Sequence, residues 1–277
     1  LGIVKGDKYR NVDLSFLDRP EILETIFPIA YSPYGLPDFL QGSPRDLPAY
    51  AIEVEDGVRI ECGFWVAGKK CPSILYFHGN GETVATHEWI ALFYIQKGIN
   101  LFVADYRGYG SSDGKPTISN MIADTAPIFR GFQEIISREG FRDSVFVMGR
   151  SLGSVPAIET ALNYQDRIRG LIVESGAANN FRRLWEYMGI NGVGVSPGEE
   201  NPFLNKVKIR RITKPTLIIH SEYDQIIPVS EGKELHRNSG AKDKRILIIP
   251  GAGHNDIMMV DQSTYFNTIE EFIKTYA

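Results

Sequence analysis

The sequence predicts an α/β protein with a mostly parallel sheet and an antiparallel hairpin at one edge. Two observations carry that expectation. From about residue 50 onward, short runs of β-branched and aromatic residues alternate with longer amphipathic stretches, as strands alternate with crossover helices. The short runs are apolar at nearly every position, which calls for strands covered on both faces.

The elements follow in chain order. AYAIEVE and VRIECGFWV flank Asp56-Gly57, a dipeptide suited to a tight hairpin turn. Six further runs have strand length: SILYFH (73–78), NLFVADY (100–106), SVFVMG (144–149), GLIVES (170–175), PTLIIH (215–220) and RILIIP (245–250). The stretches between them predict helices near 86–97, 118–138, 152–163, 229–238 and 262–275. Two segments interrupt the alternation. Residues 1–48 hold six of the fifteen prolines and the stretch FPIAYSPYGLPDF, and are expected to form an arm wrapped over the domain. Residues 176–214 include NGVGVSPGEENP and are expected to form a short cap insertion, with one or two helices near FRRLWEYM. Residues 1–277 are expected to make one domain.

Composition narrows the function classes. The 277 residues are 43% hydrophobic and 23% charged, as in ordinary globular proteins. A formal net charge of -4 gives no global pull toward nucleic acid or anionic lipid, and the basic cluster KVKIRR (206–211) is expected to be a solvated face. Two cysteines, Cys62 and Cys71, have neither a scaffold's number nor a metal site's spacing, and are expected to be free, half-buried thiols. No apolar run approaches the roughly 18 residues that span a bilayer. The expected compartment is the cytoplasm, although a chain opening on Leu1 leaves a removed targeting segment open.

In an open parallel sheet, ligands bind at the carboxyl ends of the strands, where loops and helix N-termini converge. The residues at those ends form a consistent set. SILYF is followed by His78-Gly79-Asn80-Gly81, NLFVA by DYRGYGSSDG, VFVM by GRSLGS, GLIV by Glu174-Ser175, PTLII by HSEYDQIIP and RILII by PGAGHND. Ser151, Asp224 and His254 thus occupy three such loops in the order Ser, Asp, His. The 30 residues from Asp224 to His254 accommodate one helix and one strand, so the two loops become neighbours. A serine hydroxyl needs a base to take its proton. His254 suits that role, with Asp224 holding its tautomer. Glu174 is the alternative acid. Leu152 offers a backbone N–H to an oxyanion; a second donor is expected from Asn80, with Gly79 or Gly81 as alternatives. Neither His220, His87 nor His236 has metal-ligand company in the sequence, so no zinc or iron site is expected. The loop GYGSSDG lacks the spacing of a dinucleotide fingerprint.

YFHGNG, DYRGYGSSDG, GRSLGS and GAGHND together resemble the α/β-hydrolase superfamily over about residues 50–277, with its nucleophile elbow and chain order. Within it they are similar to a branch of small serine hydrolases with little or no lid, which includes membrane-anchored eukaryotic members and protein depalmitoylases. The chain is expected to depart from that branch in lacking a membrane anchor and a cysteine-rich N-terminal lipidation site, and its proline-rich arm has no counterpart there. The resemblance implies an α/β-hydrolase fold with about eight strands, an acyl-enzyme mechanism on an ester or thioester, and no cofactor. It also implies a small-molecule acyl substrate. His78 is implied to orient the glycine loop, and Asp105 and Arg107 are expected to tie down GYGSSDG by mutual or backbone hydrogen bonds. The superfamily's strand order keeps Cys62 and Cys71 apart. An aspartate nucleophile, as in a dehalogenase, is disfavoured by Ser151. Peptidase or amidase chemistry and a silent binding scaffold are the alternatives. An insertion of 39 residues is too short for a large lid and leads to an expected preference for short or medium acyl chains.

Overall fold

The computed structural model describes residues 17–28, 30–31, 49–180 and 203–277. The expected helices near FRRLWEYM and most of the proline-rich arm lie outside the described residues.

Among the described residues, eight strands form one sheet. They are β1 (Ala49–Glu55), β2 (Val58–Trp65), β3 (Ser73–Phe77), β4 (Asn100–Ala104), β5 (Val145–Arg150), β6 (Gly170–Glu174), β7 (Thr216–Ser221) and β8 (Lys244–Ile249). Their order is β1-β2-β4-β3-β5-β6-β7-β8. β1 and β2 pair antiparallel around Asp56-Gly57, where Gly57 takes φ +72°. β2 meets β4 antiparallel, and every later pairing is parallel. The chain leaves β3 for β4 on one side and returns to β5 on the other. That reversal opens a crevice at the carboxyl ends of β3 and β5.

β3, β4, β5 and β6 are buried along their whole length, as their continuous apolar runs require. Alternate residues serve opposite faces: Leu75 and Phe77 join a core with Phe102, Phe132 and Val147, while Ile74 and Tyr76 join Phe146, Met148 and Phe272. Each half of the alternating pleat is therefore covered.

The helices are α1 (Pro20–Ile26), α2 (Glu88–Gln96), α3 (Ile118–Ala123), α4 (Thr125–Arg138), α5 (Ser154–Tyr164), α6 (Asn205–Ile209), α7 (Val229–Asn238), α8 (Ile257–Val260) and α9 (Gln262–Tyr276). The helix expected over 118–138 is divided between α3 and α4. Pro127 lacks the N–H that would bond the carbonyl of Ala123, so a single ladder is interrupted there. The expected helix at 152–163 begins two residues later, after a 3₁₀ turn at Ser151–Gly153.

The described part of the arm is packed down. Leu17, Ile22, Leu23, Ile26 and Phe27 enter the same core as Ile52 and Phe64. Asp18 Oδ1 accepts from the N–H groups of Ile118 and Ser119 at 2.9 and 3.2 Å, and Tyr31 donates to the carbonyl of Pro116 at 2.9 Å. The two stems of the insertion are also joined. Asn180 Nδ2 donates to the Phe203 carbonyl at 2.8 Å, and Asn205 Nδ2 to the Ala177 carbonyl at 2.9 Å. Among the described residues, no helix is long and apolar enough to cross a membrane.

Candidate active site

The site begins at a strained residue. Ser151 follows the last residue of β5 and takes φ +50°, a conformation costly for any side chain beyond glycine. The neighbouring positions explain the glycines. A Cβ on Gly149 would collide with the Gly153 carbonyl oxygen, and one on Gly153 with that of Phe77. Both must be glycine for the turn to close this tightly. Ser154 Oγ donates to the Ser151 carbonyl at 2.6 Å, which fixes the turn from the helix side.

His254 comes from the loop after β8, and its Nε2 lies 2.9 Å from Ser151 Oγ. Its Nδ1 lies 2.7 Å from Asp224 Oδ2. An ionised carboxylate only accepts, so Nδ1 carries the hydrogen and Nε2 is left to accept from the serine hydroxyl. Asp224 Oδ1 accepts from the N–H groups of Ile226 and Ile227 at 2.9 and 2.7 Å. Burial opposes ionisation of Asp224, but the His254 hydrogen bond and charge together with the Ile227 N–H outweigh it and hold its pKa below the ordinary value. His220 braces this loop. Its Nε2 donates to the Ile227 carbonyl at 2.8 Å and lies 3.5 Å from Asp224 Oδ2, and burial leads the lowering of its pKa.

Glu174, the alternative acid, is committed elsewhere. It is fully buried, accepts from Arg150 Nε at 3.2 Å and accepts from the Tyr265 hydroxyl at 2.7 Å. Burial raises its pKa, and Arg150 and Tyr265 offset that only in part.

Of the expected oxyanion donors, Leu152 lies in the 3₁₀ turn, where a first-turn N–H has no intrahelical acceptor. Asn80 lines the same cavity as Ser151 and Leu152. Its side chain is held at both ends: Nδ2 donates to the Ile26 carbonyl at 2.6 Å, and Oδ1 accepts from the Tyr109 hydroxyl at 2.7 Å. Gly79 is removed as an alternative donor, because its N–H is bound to Glu82 Oε2 at 2.7 Å. Gly81 takes φ +80° at the turn of the same loop. His78 is buried beneath it, with Nδ1 donating to the Gly79 carbonyl at 2.8 Å and Nε2 3.1 Å from Asp105 Oδ1.

Of the mutual or backbone hydrogen bonds expected for Asp105 and Arg107, the mutual pair does not form, and Asp105 takes a backbone one. Asp105 Oδ1 accepts from the Val84 N–H at 2.7 Å, while Arg107 grips Asp124 with two hydrogen bonds of 2.8 and 2.7 Å and Glu55 with one of 2.6 Å. The side chains at the strand end thus diverge, and Arg107 turns to the junction of α3 and α4. Both cysteines are free, but Cys62 is fully buried on β2 instead of half-buried.

The cavity over Ser151 measures about 280 Å³. Val155, Ala177, Ile227 and Pro228 supply apolar wall, Thr25 and Ile26 bring α1 to it, and Asn179 and Glu231 are its polar side. Among the described residues, no group of three His, Cys, Asp or Glu side chains is arranged to hold a metal.

Sequence reasoning missed Arg150, Glu82, Asn255 and Tyr265. The available signal was Arg150 itself, a charged residue ending the otherwise apolar strand VFVMGR, where burial demands partners.

Known proteins extend the geometry. A family model described as "Serine aminopeptidase, S33" matches residues 68–187. Alpha/beta hydrolase domain-containing protein 17B of Xenopus laevis is 32% identical over 241 residues, 82% of this chain and 75% of that protein. The Homo sapiens protein of the same name is 30% identical over 238 residues, with the same coverage of both chains. Two solved structures share the fold at 18% identity. DcsB in complex with its substrate analogue gives a TM-score of 0.67 over 84% of this chain and 100% of that one. The Pyrococcus furiosus esterase Pf2001 gives 0.67 over 86% and 98%. Identity near one third over four-fifths of the sequence carries more than a shared fold, and it establishes that the chain belongs to the α/β-hydrolase superfamily.

Proposed function

We propose that the protein is a serine hydrolase that cleaves a carboxylic ester or thioester through an acyl-enzyme, with Ser151, His254 and Asp224 as its triad. The observation that carries this reading is the unbroken relay from Ser151 Oγ to His254 at 2.9 Å and from His254 to Asp224 at 2.7 Å, at the crevice where the strand order reverses.

The chemistry follows from that relay. His254 Nε2 takes the Ser151 proton as Oγ attacks the carbonyl carbon, and Asp224 stabilises the imidazolium that forms. The N–H groups of Leu152 and Asn80 receive the oxyanion. His254 then passes the proton to the departing alkoxide or thiolate, leaving Ser151 acylated. Water, deprotonated by the same histidine, releases the acid and restores the serine. The reaction invokes no cofactor.

A cavity of about 280 Å³ lies near the small end of ligand sites and supports a preference for short or medium acyl chains. A panel of p-nitrophenyl esters of rising acyl length, assayed with wild type and Ser151→Ala, tests both claims. Activity on acetyl to octanoyl esters that disappears in Ser151→Ala is expected. Activity restricted to sixteen-carbon chains would reverse the size assignment, and unchanged turnover in Ser151→Ala would remove the nucleophile. The aminopeptidase description of the matched family model favours a second reading, hydrolysis of an aminoacyl amide on the same triad. Aminoacyl p-nitroanilides in the panel separate the two.

A further inference from the structure

Arg150 sits directly before the elbow serine, and its side chain is turned away from the cavity into the protein, only 6% exposed. Its guanidinium reaches four acceptors. Nε donates to Glu174 Oε1 at 3.2 Å, one terminal nitrogen binds Glu82 Oε1, and the other donates to the His254 carbonyl at 2.9 Å and to Asn255 Oδ1 at 3.1 Å. These partners belong to different strand ends: Glu82 to the loop after β3, Glu174 to β6, His254 and Asn255 to the loop after β8. A planar fork with five N–H donors can meet all of them at once, whereas a lysine ammonium, with three donors at one point, cannot.

The Glu82 contact leads to the oxyanion loop. Its second oxygen accepts the Gly79 N–H at 2.7 Å, so one carboxylate ties the loop's backbone to the guanidinium. Gly79 also passes so near that a Cβ there would lie 2.6 Å from a terminal nitrogen of Arg150. On the other side, the contact with the His254 carbonyl fixes the backbone from which the imidazole projects. Arg150 therefore lies between the two groups whose spacing from Ser151 decides the rate.

We propose that Arg150 is a positioning residue that sets both the oxyanion loop, through Glu82, and the His254 loop against the nucleophile elbow. The proposal rests on the serine-hydrolase reading. It goes beyond that reading by assigning alignment of the loops to one buried side chain. Glu82 follows as its coupled partner. A glutamine there keeps the shape but offers a single carbonyl oxygen, so the link between Gly79 and Arg150 is broken at one end.

The test compares wild type, Glu82→Gln and Arg150→Lys on one p-nitrophenyl ester, with rates referred to the number of active sites titrated by a fluorophosphonate. Each protein is also assayed for inhibition by a trifluoromethyl ketone bearing the same acyl chain, whose serine adduct carries an oxyanion. In both variants, kcat per titrated site is expected to fall tenfold or more at unchanged KM. The ketone's Ki should rise by the factor that kcat/KM falls. A purely structural role predicts fewer titratable sites or a lower Tm, with kcat per site and ketone affinity within twofold of wild type. That result overturns the proposal. Should Arg150→Lys fail to fold, Glu82→Gln decides on the same criteria. Failure of the underlying reading is visible separately, as a wild-type protein that takes no fluorophosphonate on Ser151.

Discussion

Strands β6 and β7 are parallel neighbours in register, and each brings a buried carboxylate to the site end of the sheet. Glu174 is the last residue of β6, so the strand fixes its direction, and it is drawn into the ion network of Arg150 and Tyr265. Asp224 stands three residues past the end of β7, in a turn whose N–H groups at Ile226 and Ile227 clamp one oxygen and leave the other for His254. The pKa values of the two residues also move in opposite directions: that of Asp224 is lowered by its His254 partner against the cost of burial, and that of Glu174 is raised by burial. Distance beyond the strand end, more than residue type, separates the carboxylate that reaches His254 from the one that holds the framework.

The largest effect that tests this contrast is on turnover. Asp224→Asn should keep the fold and lower kcat by up to about 10⁴-fold, the size of the same change in a serine protease, because the amide no longer enforces the Nδ1–H tautomer. Glu174→Gln should lower kcat less than tenfold, measured on the same ester. The reverse ranking would move the acid's role to Glu174.

Stability should rank the pair the other way. Glu174→Gln removes one member of a buried hydrogen-bonded network and is expected to cost about 1–3 kcal/mol, read from urea unfolding near pH 4.5, where its contribution is still complete. The Asp224 change, at a loop with its own backbone clamp, should cost less than that.

A smaller effect lies in the pH dependence. Asp224 has a folded pKa below its ordinary value of 3.8, so its contribution is complete above that value and is lost as pH falls through the folded pKa. Glu174 has a folded pKa above 4.5, so its contribution is complete below 4.5 and declines as pH rises through the folded pKa. Unfolding midpoints measured from pH 3 to 7 should therefore show the wild-type advantage over Asp224→Asn growing with pH, and that over Glu174→Gln shrinking. Slopes of the same sign would break the contrast.

The sheet and the three strand-end residues were legible because each depends on local pattern: continuous apolar runs, Gly149 and Gly153 around Ser151, and loop residues at fixed offsets from strands. Less legible was the choice of partner. Arg107 selects Asp124 over Asp105, and Arg150 gathers residues 24 to 105 positions away in sequence, choices fixed by tertiary distance with no periodic signature. The interruption at Pro127 was written in the sequence, but a proline in a helix's first turn is also compatible with continuation elsewhere, and the amphipathic pattern runs through it. Gly79, the alternative to Asn80 in the sequence, has its N–H occupied by Glu82, a contact that no local pattern announces.

The central claim is that Ser151 carries the acyl group during turnover. The most direct measurement is peptide mass mapping of the protein quenched during hydrolysis of p-nitrophenyl butyrate. A butyryl increment is expected on the peptide containing Ser151, formed in a burst no slower than kcat and absent from Ser151→Ala, which should not turn over. An increment on another residue, or full turnover by Ser151→Ala, would contradict it.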